Sequence, residues 1–419
     1  MPVSRNGNII NFVGEFGQAD LHKPLACIHQ AVNDAGYRDI ILDFSECTAA
    51  FPPPMLALCV QIMRLRDEKV DTKLVLPRLE KLAKLFRNAN WAHFLEPGKF
   101  EQSTFRGYTQ IPATQFKSPD DQNRAVNRIV NAILGAIQDI DRSDFAALEW
   151  SISEITDNVI VHSESPIGGL VQVSTFQKNR KVVEYIVADA GLGIPTTLRA
   201  GQPQIKSDTE ALDCAIREGV TRDKSLGQGN GLFGSFQICS YSGGRFQIES
   251  GHAKLFYAPS HGLSISNERI PIDGTLIVAQ IDFSKPGLLE EALRFAGRQY
   301  RPVDFVETKY EQFDSDDLLF VLREESRTFG SRLAGTPIRN RLVNLLKMCP
   351  DQRIKIDCSG IPLVSSSFAD EVFGKLFVEL GPLGFMQRIF IDNVDPTVRS
   401  LVDKAISQRM AVGLSEFDA

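Results

Sequence analysis

The chain has 419 residues, is 43% hydrophobic and 23% charged, and carries a net charge of −6. At about 150 residues per domain the length predicts roughly three domains with real cores. The acidic balance excludes a global basic footprint for nucleic acid or an anionic membrane. Seven scattered cysteines with no C-x-x-C exclude a disulfide scaffold and a zinc site, and predict a reducing, cytoplasmic compartment. The first residues lack a signal-peptide apolar region, and no apolar run approaches the ~20 residues of a membrane helix.

Residues 1–105 alternate strand and helix patterns. Asn8–Phe16, Asp39–Phe44 and Lys73–Leu76 read as strands; Leu21–Ala35 and Pro54–Arg66 read as helices by their i, i+3, i+4 apolar spacing. This implies an α/β domain. Residues 106–121 are polar, hold Pro112 and Pro119, and read as a linker.

Residues 122–285 form the second segment. Asn123–Ile140 and Asp144–His162 are amphipathic helices, followed by strands at Gly169–Phe176 and Lys181–Ala188. Pro195–Ser225 is polar and long enough to read as a functional lid. A glycine cluster then leads into the helical run Leu232–Ser240. Three strand candidates follow: Arg245–Ser250, Ala253–Ala258 and Thr275–Phe283.

Residues 300–419 again alternate. Arg353–Asp357 and Arg388–Ile391 are strand-like; Ile338–Met348, Phe368–Leu380 and Pro396–Ser407 are helix-like. Asp39–Ser45 resembles Arg353–Ser359, and each is followed by a short loop and an apolar helix. A faint internal repeat is therefore expected.

Three features of the middle segment carry chemistry. In Glu154-Ile155-Thr156-Asp157-Asn158, i, i+4 spacing puts Glu154 and Asn158 on one helical face. In Asp189-Ala190-Gly191-Leu192-Gly193, an acid at a strand end is followed by glycines that let backbone approach a ligand. In Gly227-Gln228-Gly229-Asn230-Gly231, glycines open a helix whose free N–H groups suit phosphate. No strand precedes this last motif, so it is no dinucleotide fingerprint, and no G-x-x-x-x-G-K-[ST] P-loop occurs.

In this order the three features resemble the motifs of the GHKL ATPases, whose members share the Bergerat ATP fold. Glu154 and Asn158 match the N box, Asp189–Gly193 the first glycine box, Gly227–Gly231 the second, and Gly274-Thr275 the terminal Gly-Thr. The helix Ser153–His162 looks most like that of the anti-sigma-factor serine kinases. The resemblance implies a central α/β sandwich, with a mixed, largely antiparallel sheet and helices on one face. It also implies bound ATP and Mg²⁺. Asp189 would accept from the adenine amino group, with Thr275 supporting that pocket. Asn158 would hold Mg²⁺, and Glu154 would be the catalytic residue that orients or deprotonates a nucleophile. Gly191, Gly193, Gly227, Gly229, Gly231 and Leu232 would shape the ATP site, and Pro195–Ser225 would be its lid. Lys224, with Lys206 and Arg222, would be phosphate contacts. The histidine-kinase branch fits poorly, because no helix pair presents a phosphoacceptor His.

The outer segments resemble STAS domains, the third through Arg332…Gly335 and Ser365–Glu371. Antagonists of that kind are phosphorylated on a Ser at a helix start. Ser366 and Ser367 are the candidate phosphoacceptors here, with N-capping as the plainer role. Aligning Asp43 with Asp357 sets Phe51-Pro52-Pro53-Pro54 opposite Ser365–Phe368, so the first segment is a degenerate STAS-like domain suited to docking or dimerisation. The expected function is a Mg-ATP-binding regulator of protein partners, either phosphorylating Ser or Thr of a STAS-type partner or of its own C-terminal domain. The alternative is an ATP-driven conformational or dimerisation switch with slow hydrolysis. A nucleic-acid machine fits the acidic chain least.

Overall fold

The computed structural model describes residues 3–103, 110–176, 181–221, 229–285, 287, 289–295 and 297–415. The three sequence segments pack into two compact units. The first comprises 1–129 and 147–301, the second 130–146 and 302–419.

The first unit opens with a hairpin, β1 (Val3–Asn6) and β2 (Ile9–Phe16), then α1 (His22–His29). Next come β3 (Asp39–Ala50), α2 (Pro52–Asp67), β4 (Asp71–Val75), α3 (Glu80–Asn88) and α4 (Trp91–Leu95). The sheet runs β1-β2-β3-β4, with β2, β3 and β4 parallel. Prolines at its first positions preorganise α2. Every residue from Pro53 to Ile62 is buried, as expected of a helix apolar all round. A ring cluster, with Phe12 stacked on Phe44 at 3.8 Å and Phe86 edge-on to Trp91, fills the core behind it.

The expected linker contains β5 (Gln110–Phe116), the edge strand of a second sheet. Pro112 falls at a register shift between Ile111 and Thr114. An edge strand at a bulge is where a sheet tolerates proline, so the residue that suggested a linker marks a strand instead. Then follow α5 (Pro119–Ala136), α6 (Arg142–His162), β6 (Gly169–Phe176) and β7 (Val182–Asp189). The expected irregular lid also folds differently. It holds α7 (Gly193–Gly201) and α8 (Asp208–Ala215), which bury Leu198, Ile205, Ala211 and Ala215 in a small core of their own. Each short helix needs only one narrow apolar stripe, which a mostly polar stretch can supply. After α9 (Gly231–Tyr241), the three expected strands prove to be two long ones, β8 (Phe246–Ala258) and β9 (Gly262–Asp282). A short helix α10 (Leu289–Ala292) and a small hairpin, β10 (Arg294–Phe295) and β11 (Arg298–Gln299), close the unit.

The second sheet is antiparallel throughout its described pairs, in the order β5-β6-β7-β9-β8. Alternate residues of β7 serve opposite faces. Tyr185 meets Ser151 of α6 at 2.6 Å, while Ile186 and Ala188 join the core built around α2. Residues 1–100 therefore cover the face of this sheet opposite α6. Trp91 Nε1 donates to Gln172 Oε1 at 2.9 Å, and Gln61 Nε2 to the Asp273 carbonyl at 2.6 Å.

The second unit adds α11 (Phe305–Lys309), β12 (Leu318–Val321), α12 (Leu322–Glu325) and α13 (Arg332–Met348). It continues with β13 (Ile354–Asp357), α14 (Ser366–Ala369), α15 (Lys375–Arg388), β14 (Ile389–Asp392) and α16 (Pro396–Ser415). A wide turn at Asp370–Gly374 joins α14 to α15, and Gly381 (φ +69°) before Pro382 breaks α15. The strands β12-β13-β14 are parallel. The repeated strand motif is real at this level: β3 and β13 are each the middle of three parallel strands. At each strand's motif Asp, a carboxylate accepts the N–H two residues on, Ser45 to Asp43 at 2.8 Å and Ser359 to Asp357 at 3.0 Å. All seven cysteines are free thiols. Among the described residues no helix is long and apolar enough to cross a membrane.

Candidate functional site

The first unit contains a cavity of about 390 Å³ between α6, α7, α9 and the end of the second sheet. Glu154 and Asn158 both line it, one helical turn apart on α6. Asp189 lines it from the last position of β7 and is 4% exposed. Burial pushes its carboxyl up to about 7, against the opposing pull of hydrogen bonds from the Gly191 and Thr275 backbone. Thr275 stands opposite Asp189 in the register of β7 and β9, and also lines the cavity.

The glycines of the first box are required by space. Gly191 N–H donates to Asp189 Oδ1 at 2.8 Å, and a Cβ on Gly191 would lie 2.0 Å from the Ser163 carbonyl oxygen. Gly191 does not itself face the cavity; it lets the turn close against the end of α6. Gly193 does face it, in the left-handed region at φ +75°. Ser250 Oγ fixes this turn, accepting from Ile194 N–H at 2.9 Å and donating to the Gly274 carbonyl at 2.7 Å.

Gly229, Gly231 and Leu232 also line the cavity. Gly231 begins α9 beside Glu154: a Cβ there would sit 2.6 Å from Glu154 Oε2. Burial and the neighbouring Asp157 charge raise the Glu154 pKa, and burial raises that of Asp157. Gly227, Lys224 and Arg222 lie outside the described residues. Lys206 is exposed, its backbone N–H bonded to Glu210 at 2.9 Å, and it is not among the residues lining the cavity.

Several cavity residues escaped sequence reasoning. Trp150 and Asp157 had a usable signal, since both sit on α6 beside the N-box residues, Trp150 one turn before Glu154. Phe295 and Tyr300 had none, because they lie beyond residue 285 and reach the cavity only through the terminal hairpin.

In the second unit, Ser365 is the residue that caps α14, accepting from Phe368 N–H at 3.1 Å. Ser366 and Ser367 are exposed in the first turn behind it, and the Ser367 hydroxyl lies 3.0 Å from that of Ser365. One turn further on, Asp370 receives Arg409 of α16 through two bonds of 2.7 and 2.8 Å, and Arg332 of α13 at 3.0 Å.

Residues 334–399, from α13 to the start of α16, match the STAS-like domain of unknown function (DUF4325). The chain thus carries a STAS-like domain at its C-terminal end. No curated protein matches the chain.

Proposed function

We propose that the cavity of the first unit is a Mg-ATP site of the GHKL type, and that the chain is a nucleotide-dependent regulator acting on protein partners. One observation carries this reading. Glu154, Asn158, Asp189, Gly229, Gly231 and Thr275, scattered over 122 positions of sequence, line one cavity. Asp189 is a buried acceptor suited to the adenine amino group, beside Thr275. Asn158 offers a neutral oxygen to Mg²⁺, and Glu154 is placed to orient or deprotonate a nucleophile. The amides of Gly229 and Gly231, with Gly227 and Lys224, would receive phosphate oxygens. Bound ATP would supply the transferable γ-phosphoryl group; the chain supplies position and charge neutralisation.

The acceptor is a Ser or Thr of a STAS-type partner or of the chain's own C-terminal domain, where Ser366 and Ser367 are exposed. A second reading, an ATP-driven switch, draws on α6. This helix carries Asn158 near one end and Arg142, ion-paired to Asp304 at 2.7 Å, at the other. Labelled ATP with Mg²⁺ separates the readings. Label retained on wild-type protein, lost in Glu154→Ala and in the double variant Ser366→Ala/Ser367→Ala, supports internal transfer. Free phosphate alone, with a change of mass or shape on binding a non-hydrolysable analogue, supports the switch. Absence of nucleotide binding overturns both.

A further inference from the structure

Beside Glu154 the cavity is walled by aromatic rings. Trp150 lies 5.9 Å from Phe295 and 6.2 Å from Tyr300, centroid to centroid, and Phe295 lies 6.0 Å from Tyr300. Phe295 and Tyr300 are brought there by the hairpin β10–β11, which is closed by Tyr300 N–H donating to the Leu293 carbonyl at 2.7 Å. The rings fit tightly against α9: a Cβ on Gly234 would meet the Trp150 ring at 2.4 Å and Phe295 at 3.1 Å. The wall runs from a buried floor, Trp150 at 8% exposure, to a solvent rim, Tyr300 at 47%. It adjoins Glu154, which follows Trp150 by one turn of α6 and lines the same cavity.

We propose that Trp150, Phe295 and Tyr300 are positioning residues that keep bulk water off Glu154, directing the cavity toward phosphoryl transfer to a protein hydroxyl and away from hydrolysis. This rests on the nucleotide reading above. In transfer, a hydroxyl oxygen forms a bond to the γ-phosphorus and gives its proton to the Glu154 carboxylate. The bond from that phosphorus to the bridging oxygen breaks, and its electron pair leaves on ADP. Hydrolysis makes the same demand on Glu154, with water in place of the hydroxyl. The two reactions differ in how the nucleophile is held. An ordered water needs two to four polar partners, which ring faces do not supply. A Ser or Thr hydroxyl is held by its own peptide and needs none of them. The desolvation that raises the Glu154 pKa acts at the same place.

The test uses the full chain and two measurements, titration with a fluorescent ATP analogue and release of inorganic phosphate. Tyr300→Ala and Phe295→Ala are expected to raise phosphate release by about tenfold, with nucleotide affinity held within about threefold. Tyr300→Phe, which keeps the ring, should restore the low rate. Phe295→Leu serves where the alanine variant does not fold. A merely structural role would lower binding and release together. Release that is unchanged or lower, with binding intact, overturns the wall as a water barrier. A wild-type chain that binds no analogue overturns the nucleotide reading, and the wall with it.

Discussion

His22 Nε2 on α1 lies 2.9 Å from Glu249 Oε2 on β8, a carboxylate with 1% of its side chain exposed. The pair joins the first sheet's helices to the second sheet, one residue before the Ser250 that holds the Asp189–Gly193 turn. Burial works against the charged imidazole, but the hydrogen bond and charge of Glu249 outweigh it and raise the His22 pKa above 6.5. For Glu249, burial is outweighed by His22 and Lys254, and the pKa falls below 4.5. The histidine's contribution to stability is complete below 6.5 and lost as pH rises through its raised value. The carboxylate's is complete above 4.5 and lost as pH falls through its lowered value. His22→Ala should therefore cost about 2 kcal/mol near pH 5.5 and clearly less at pH 9. Thermal melts of both proteins across that range check it; a pH-independent difference would speak for packing alone.

Asp189→Asn separates folding from binding. The native carboxyl is pushed up to about 7, so folding favours its protonated form. Such a group stabilises the fold at low pH, and that stability is lost as pH rises through about 7. An amide carries no charge to desolvate. The variant should melt higher than wild type above pH 7, by an amount on the order of 2 kcal/mol, and lose nucleotide binding by about 30-fold or more. Calorimetric melts and an analogue titration read the two effects. Intact binding would remove Asp189 from the site.

Gly231→Ala addresses Glu154 without replacing it. The added methyl would lie 2.6 Å from Glu154 Oε2, and that is the far end of a flexible side chain. The carboxylate must move, and the Glu154 Cβ, 3.3 Å from the added methyl, must give by a few tenths of an ångström. Turnover of ATP should fall about tenfold or more, with binding changed far less. Equal losses in both would mean that α9 itself had shifted.

How much of this was legible in the sequence depended on whether local pattern and burial agreed. Glu154, Asn158, Asp189, Gly229, Gly231 and Thr275, singled out in sequence by their motifs, all line the cavity. Gly191 shows the limit: the motif marks it, yet it acts on the Ser163 carbonyl and not on the cavity. The strand holding Pro112 was missed because proline at an edge bulge looks the same, in sequence, as proline in a linker. The helices Gly193–Gly201 and Asp208–Ala215 were missed because their apolar stripes are narrow. Nothing in Phe295 or Tyr300 announced a cavity, since a long-range approach of a terminal hairpin leaves no periodic trace. The STAS-like segment was legible through Ser365–Glu371, but which serine caps the helix was not: the hydroxyl that bonds Phe368 N–H is that of Ser365.

Asn344 decides whether the tip of the α5–α6 pair can stand without α13. Its side chain is fully buried, with Nδ2 donating to the Ile137 carbonyl at 2.6 Å and to the Leu134 carbonyl at 2.8 Å, and Oδ1 accepting from Asp139 N–H at 3.0 Å. Asn340 Nδ2 adds a bond to the Gly135 carbonyl at 3.0 Å. Leu134 and Gly135 are among the last four residues of α5, whose carbonyls have no partner within the helix. Two asparagines of α13 therefore cap that helix end, and residues 130–146 belong to the second unit with 302–419. Asn344→Leu has a similar volume but takes the side-chain donor from the Leu134 and Ile137 carbonyls, both of buried residues, at a cost of about 2 kcal/mol or more. Chemical denaturation should show it. A chain ending at residue 301 loses both caps and uncovers Ile133, Leu134 and Ile137, so it should bind an apolar dye that the full chain excludes. If that shorter chain instead melts cooperatively and stays dark, α5 carries its own stability and the asparagine caps are dispensable.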